Sequence, residues 1–192
     1  MRSSALLLPA QLWLAVAAAA QPLERILAVV DGVPVLLSEV RAYTTVQRVT
    51  AEAALEAVID EQLMLREAAR LPESAPTPQQ ADAAFADLAA RLGEAPRAAL
   101  DEGALRRLSS RQATILKYVA LRFQPQIRVT DPDLRRAYEA DYGGRASPPA
   151  YDEVSASIAA HLERRALDAR IETWVSELRE AASVRYNPEP RP

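Results

Sequence analysis

The chain has 192 residues, a formal net charge of -3 and no cysteine, and 49% of its residues are hydrophobic and 26% charged. This composition is typical of a folded chain and argues against disorder, and it lacks the basic excess with which proteins neutralise nucleic-acid phosphates. Disulfide bonds are excluded, so the core alone must hold the fold. Because Ala, Leu, Arg and Glu abound and glycine occurs only five times, we expect a mainly α fold.

The first twenty residues have the layout of a secretory signal peptide. Arg2 supplies a positive charge, residues 5–17 form an apolar stretch, and three alanines ending at Ala20 offer a small-residue cleavage site. A retained membrane anchor is the alternative, but Pro9 and Gln11 interrupt a run already shorter than the roughly 20 residues that a span requires. We therefore expect export, cleavage after Ala20, and no stable membrane insertion afterwards.

A β-hairpin follows. Two apolar runs, residues 26–30 and 33–37, flank Asp31-Gly32. Asp-Gly favours a type I′ turn, because both central residues of that turn need a positive φ. Pro34 has no N–H for a ladder, which predicts that the second strand is an edge. Ser38 is the expected N-cap of the next helix. A lone hairpin is marginally stable in water, so we expect a third strand from elsewhere.

Helices account for most of the remaining chain. Four of them have side-chain caps, which we assign to Thr50, Thr77, Asp101 and Thr130. The expected helices span residues 38–49, 51–71, 78–92, 96–100, 102–123, 131–142 and 151–182, the fourth being a single turn.

The end of the chain supplies the missing strand. Residues 183–187 alternate in polarity and form the only other β-like run after the hairpin. We expect this run to pair with the hairpin, so that residues 21–187 form one domain with the middle helices as an extension. Within it, residues 21–142 are the N-terminal part, residues 143–150 a Gly- and Pro-rich linker and residues 151–187 the C-terminal helix and strand; residues 188–192 are a tail.

No catalytic, metal-binding or cofactor-binding constellation is evident. The only histidine, His161, has no second histidine or cysteine at a ligand spacing. The adjacent acids Asp60-Glu61 and Asp152-Glu153 point in different directions around a helix and are expected on solvated faces. A GxSxG motif is absent, and Gly143-Gly144 opens a linker instead of a phosphate-binding turn. We expect neither an enzyme nor a cofactor.

Binding through apolar side chains is the remaining possibility. The stripe of Phe85, Leu88 and Leu92 is core by default, but short amphipathic helices can also leave a groove for a ligand. Together with Tyr118, these residues are the candidate client-binding side chains.

Taken in order, these segments resemble one family, the SurA-type periplasmic chaperones, with related patterns in the PrsA and PpiD foldases. The resemblance spans residues 23–187 and rests on the order of short apolar patterns rather than on one diagnostic motif. Its segments are RILAVVDGVPVLLSEV, ALEAVIDEQLMLREA, LKYVALRF, IRVTDPDLRRAYEADYG and YDEVSASIAAHLERRALDARIETWVSELREAASVRYN.

The chain departs from that family at one point. Family members carry parvulin-type prolyl isomerase domains before the last long helix, whereas here only residues 142–150 occupy that place. The resemblance therefore implies a helical chaperone module without the isomerase: an ATP-independent holdase in the periplasm, binding unfolded exported or outer-membrane proteins. A non-catalytic assembly subunit with one dedicated envelope partner is the alternative, and a prolyl isomerase is a third hypothesis.

Overall fold

The structure is a computed structural model that describes residues 24–187. The expected signal peptide, its cleavage after Ala20 and the tail of residues 188–192 lie outside the described residues. The described chain is mainly helical with one small sheet, as expected. Its strands are β1 (Ile26–Val30), β2 (Val33–Leu36) and β3 (Val184–Tyr186), and its helices are α1 (Leu37–Gln47), α2 (Ala51–Ala68), α3 (Pro78–Leu92), α4 (Glu94–Ala98), α5 (Glu102–Arg122), α6 (Asp131–Tyr142) and α7 (Tyr151–Ala181).

The predicted hairpin is confirmed together with its turn. Asp31 and Gly32 have φ values of 48° and 87°, so both central residues are left-handed, as a type I′ turn requires. The turn brings Val30 opposite Val33 in an antiparallel ladder between β1 and β2.

The predicted closure by the C-terminal strand is also confirmed. The strand order is β2-β1-β3, and β3 pairs antiparallel with β1, with Val29 opposite Arg185. Side-chain hydrogen bonds hold both ends of β3 against β1. Asp31 Oδ1 accepts from the Ser183 N–H at 2.8 Å, and Asn187 Nδ2 donates to the Ile26 carbonyl at 3.1 Å. β2 is an edge strand, as Pro34 indicated.

The start of α1 differs from the prediction that Ser38 caps it. β2 runs directly into the helix, so the extended residue Leu36 is the N-cap. Leucine has no side-chain oxygen, and Glu39 Oε2 accepts from the Leu36 N–H at 3.1 Å instead. The Ser38 N–H donates to Glu24 Oε1 at 3.1 Å.

The caps predicted at Thr50, Thr77 and Asp101 are in place, and at Thr130 the Asp133 carboxylate supplies the capping contact. Thr50 Oγ1 accepts from the Ala53 N–H at 3.2 Å, and Asp101 Oδ2 accepts from the Ala104 N–H at 2.6 Å. Thr77 and Gln80 form the reciprocal box, and at Thr130 the N–H donates to Asp133 Oδ2 at 3.1 Å.

The predicted single turn over residues 96–100 lies two residues earlier, at Glu94–Ala98. Gly93, with φ 81°, both ends α3 and begins α4. Pro96 then falls in the first turn of α4, where its missing N–H is not needed.

The core consists of linked clusters along α2 and α5. Between the sheet and α2 the buried side chains are apolar, and Val184 of β3 packs against them. At the other end of α2, the rings of Tyr118, Phe123 and Trp174 contact one another, with both Tyr118–Trp174 and Phe123–Trp174 centroids 5.1 Å apart. This aromatic cluster joins α5 to α7.

The middle helices are not an extension, contrary to the prediction. α5 packs on α1, α2 and α3 and contributes buried side chains, among them Leu105 and Leu108, to the centre. Helix α6 has no buried residue and packs against α7. Its contacts are aromatic: the Tyr138 ring lies 5.5 Å from that of Tyr151, and the Tyr138 hydroxyl donates to the Pro149 carbonyl at 2.7 Å.

Candidate binding site

An open apolar groove of about 790 Å³ lies where the two ends of the described chain meet. It is bordered by the ends of β1 and β3, by α1, by the first turns of α2 and by the segment after α4. The lining residues are Arg25, Leu27, Leu37, Val40, Arg41, Thr44, Thr45, Ala51, Glu52, Leu55, Ala99, Leu100, Tyr186 and Asn187.

The apolar lining comes from four separate elements. Leu27 belongs to β1, Val40 to α1 and Leu55 to α2, and all three belong to the packing between the sheet and α2. Leu100 follows α4 and also packs against the cluster of α3 and α5. The groove therefore has a lining held by the core, while Tyr186, with 51% of its surface exposed, stands at its rim.

The Tyr186 side chain is held in place from α2. Its hydroxyl donates to the Glu56 carboxylate, with O–O distances of 3.0 and 3.2 Å. Partial burial, followed by the hydrogen bond to Glu56, raises the pKa of the Tyr186 phenol. The phenol therefore stays protonated at neutral pH and keeps this hydrogen bond.

Glu56 also accepts from Arg179, near the end of α7. Arg179 Nη1 lies 2.7 Å from Glu56 Oε2, and its Nε pairs with Asp60. These hydrogen bonds raise the pKa of Arg179. The guanidinium connects α7 to α2 directly beside the strand that closes the sheet.

A largely buried charged cluster, formed by Glu39, Glu61 and Arg111, lies outside the groove lining and joins three helices. Arg111 Nε lies 3.4 Å from Glu61 Oε2, its Nη1 contacts Glu39, and Gln112 donates to Glu61 Oε1 at 3.2 Å. Burial raises the pKa of Glu61, although Arg111 and Gln112 oppose the shift. One guanidinium therefore joins α1, α2 and α5 through two carboxylates.

This cluster corrects the expectation that Asp60-Glu61 is a solvated pair. Glu61 retains 6% exposure, and Asp60 pairs with Arg179. Adjacent positions on α2 diverge by about 100° around the helix axis, so the two acids face different neighbours, α5 and α7. Asp152 and Glu153 are exposed, as expected, and so is His161.

The four candidate client-binding residues do not line this groove. Phe85 and Leu88 are buried against Leu105 of α5, and Leu92 is half-buried beside them. Tyr118 is buried in the aromatic cluster. The structure thus places all four in packing between helices: Phe85, Leu88 and Leu92 where α3 meets α5, and Tyr118 where α5 meets α7.

The sequence predicted that Val40 and Leu55 lie on helices and that Tyr186 lies on the last strand, without assigning any of them to a binding site. The groove could not be predicted because the sequence does not show which segments, far apart in the chain, lie close together in space. The predicted closure by β3 was the available signal, because it brings Tyr186 beside the start of the domain.

The described residues contain no group of three or more His, Cys, Asp or Glu side chains arranged to hold a metal ion. Between residues 24 and 187, no helix combines the length and apolar character needed to cross a membrane. The groove itself offers apolar surface and a polar rim, which suits binding of a partly apolar ligand.

Comparison with known proteins finds no match: no family model, no curated protein and no solved structure is significantly similar to this chain.

Proposed function

We propose that this protein is an ATP-independent chaperone of the cell envelope, a holdase that binds unfolded exported or outer-membrane polypeptides in the periplasm. The observation that carries the proposal is the open groove at the junction of the chain ends. Its apolar lining belongs to the core, so the binding surface is formed before a ligand arrives.

The physical properties of the groove suit an unfolded client. A volume of about 790 Å³ lies within the range of roughly 300–1,000 Å³ typical of ligand pockets. The half-buried side chains of Leu27, Leu55 and Leu100 offer apolar surface to a client without requiring a fixed hydrogen-bond pattern. Such a surface accepts many apolar side chains and places little demand on their sequence.

The order of the sequence segments resembles that of SurA-type chaperones, and this resemblance is the reason for proposing that class of binding protein. The residues between α6 and α7 are too few for an isomerase domain, so we assign binding and not prolyl isomerisation. Residues Tyr138 and Tyr151 pack against each other across this short connection.

The direct test measures aggregation of a denatured outer-membrane β-barrel protein by light scattering, with and without the purified protein. We expect suppression at near-stoichiometric ratio. Ala99→Trp should weaken it, because an indole at this exposed position fills part of the groove. Ala86→Trp is the matched control, since Ala86 is exposed on α3 outside the groove. No suppression by the parent protein, or equal loss in both variants, would contradict the proposal.

Crosslinking in cells separates the holdase from an assembly subunit. A photoreactive residue at Thr45 reports on the groove, and one at Leu116, 69% exposed on α5, reports on a surface elsewhere. We expect many unfolded exported chains to be captured from position 45 and few from position 116. Capture of a single dominant folded partner from position 45 would contradict the holdase hypothesis and support the assembly-subunit hypothesis.

A further inference from the structure

The two edges of the sheet are not equivalent. In antiparallel pairs, residues alternate between those whose backbone groups point toward the partner strand and those whose groups point away. The Asp31 N–H donates to the Ser183 carbonyl at 2.9 Å and the Asn187 N–H donates to the Leu27 carbonyl at 2.8 Å. Arg185, midway between Ser183 and Asn187, therefore points its N–H and C=O toward β1.

It follows that Val184 and Tyr186 direct their backbone N–H and C=O away from β1. Among the described residues β3 is the last strand of the sheet, so these groups form its outer edge. We name this edge, with the N–H and C=O of Val184 and Tyr186, the open edge of β3. It offers two donors and two acceptors in the geometry of an extended strand.

The opposite edge, on β2, is blocked. Pro34 lies opposite Val29, whose backbone groups point to β3, so the outward position on β2 is held by a residue without an N–H. The Pro34 carbonyl already accepts from Gln62 Nε2 at 3.0 Å. The β2 edge is therefore protected against pairing with a further strand, whereas the β3 edge is not.

The open edge also adjoins the groove. Tyr186 and Asn187 belong both to β3 and its continuation and to the groove lining. A polypeptide segment added along β3 thereby has its backbone paired and has an apolar groove beside it for side chains. Residues 188–192 have proline at three of five positions, a composition that disfavours strand pairing with this edge.

We infer that clients bind as an extended strand added to the open edge of β3, so that the recognised feature is an unpaired backbone with alternate apolar side chains. This inference rests on the proposed chaperone function and specifies its ligand: a segment that has not yet formed its own β-pairing. Backbone hydrogen bonds are independent of side-chain identity, which allows unrelated sequences to bind in the same way.

The test removes one outward N–H and leaves the side chain in place. Residues 182–192 are synthesised with N-methyl-tyrosine at position 186 and joined to residues 21–181, the chain expected after cleavage at Ala20, by ligation through cysteine at position 182. Desulfurisation then restores Ala182, and it is selective because the chain has no cysteine. The control product carries unmodified tyrosine and passes through the same steps.

The probe is a fluorescent nine-residue peptide of alternating valine and threonine with lysine at each end. Its affinity for the N-methylated protein should fall about tenfold or more, since a hydrogen bond is lost and a methyl group obstructs the edge. Equal affinity, or no binding of the probe to the control, overturns strand addition. Aggregation suppression, measured on the same samples, reports separately on the holdase proposal.

A second measurement does not depend on the modified protein. Amide exchange of the unmodified protein, followed by NMR, should slow at Val184 and Tyr186 when the peptide is added and remain unchanged at Arg185. Unchanged exchange at both outward amides overturns the inference. So does a peptide-free dimer that dissociates on N-methylation, because a second copy would then occupy the edge.

Discussion

Replacing Val184 by Asp tests whether β3 closes the domain. Val184 packs half-buried against the cluster between the sheet and α2, opposite Val30. Losing about half of a buried valine costs about 1 kcal/mol, and bringing a carboxylate to this face adds about 1–2 kcal/mol. Asp is also a poor strand former, by about 1 kcal/mol. We therefore expect a loss of about 3–4 kcal/mol, a large part of a typical unfolding free energy of about 5–15 kcal/mol.

The matched control is Arg185→Asp, one position along the same strand. Arg185 is exposed and lies on the other face of β3, so only the strand-propensity cost of about 1 kcal/mol applies. Urea unfolding of both variants and the parent, followed by circular dichroism, gives the two differences. If Val184→Asp and Arg185→Asp agree within about 0.5 kcal/mol, the packing argument is wrong.

Three further outcomes are expected. Phe123→Ala, which empties the aromatic cluster at a side chain with 2% exposure, should lower the unfolding free energy by about 3–5 kcal/mol in urea titrations. Gly32→Ala should cost about 1–2 kcal/mol, because φ at Gly32 is 87°, whereas Gly144→Ala, at a site with open space and no positive φ, should be near neutral by thermal unfolding. Burial raises the pKa of Glu61, so folding favours the protonated carboxyl. The stability gained from this protonated carboxyl is complete below the unfolded-state pKa and is lost as pH rises through the folded-state pKa. Urea titrations at pH 5 and pH 7 should accordingly show the parent gaining stability on acidification relative to Glu61→Gln, and a constant difference between the two proteins would contradict this.

Local features were predictable because each depends on a few neighbouring residues. Asp31-Gly32 specifies its turn through the φ values it tolerates. Thr77 and Gln80 satisfy each other's backbone N–H groups within one helical turn. The helix starts predicted at Ser38 and Pro96 were wrong by one or two residues. In both cases the helix begins at a nearby residue, since α1 begins at Leu37 and α4 begins at Glu94.

The partners of charged side chains were not predictable in this way. Glu61 has the same appearance in the sequence as any exposed acid on an amphipathic helix. Its burial depends on Arg111, 50 residues later, arriving from α5. The role of Phe85 and Leu88 was ambiguous for the same reason, because a stripe on α3 is either core or groove according to whether α5 covers it.

The sequence by itself determined the helical class, the hairpin, most of the caps and the pairing of the last strand with the hairpin. Apolar periodicity, turn chemistry and the need of a two-stranded hairpin for a third strand can all be read from the order of the residues. Only the tertiary structure decided where apolar surface remains uncovered. The groove exists because β3 brings Tyr186 back to α1 and α2 while Leu100 approaches from the segment after α4. These elements are distant in the chain, and the space between them follows from how all the helices pack rather than from any one stretch of residues.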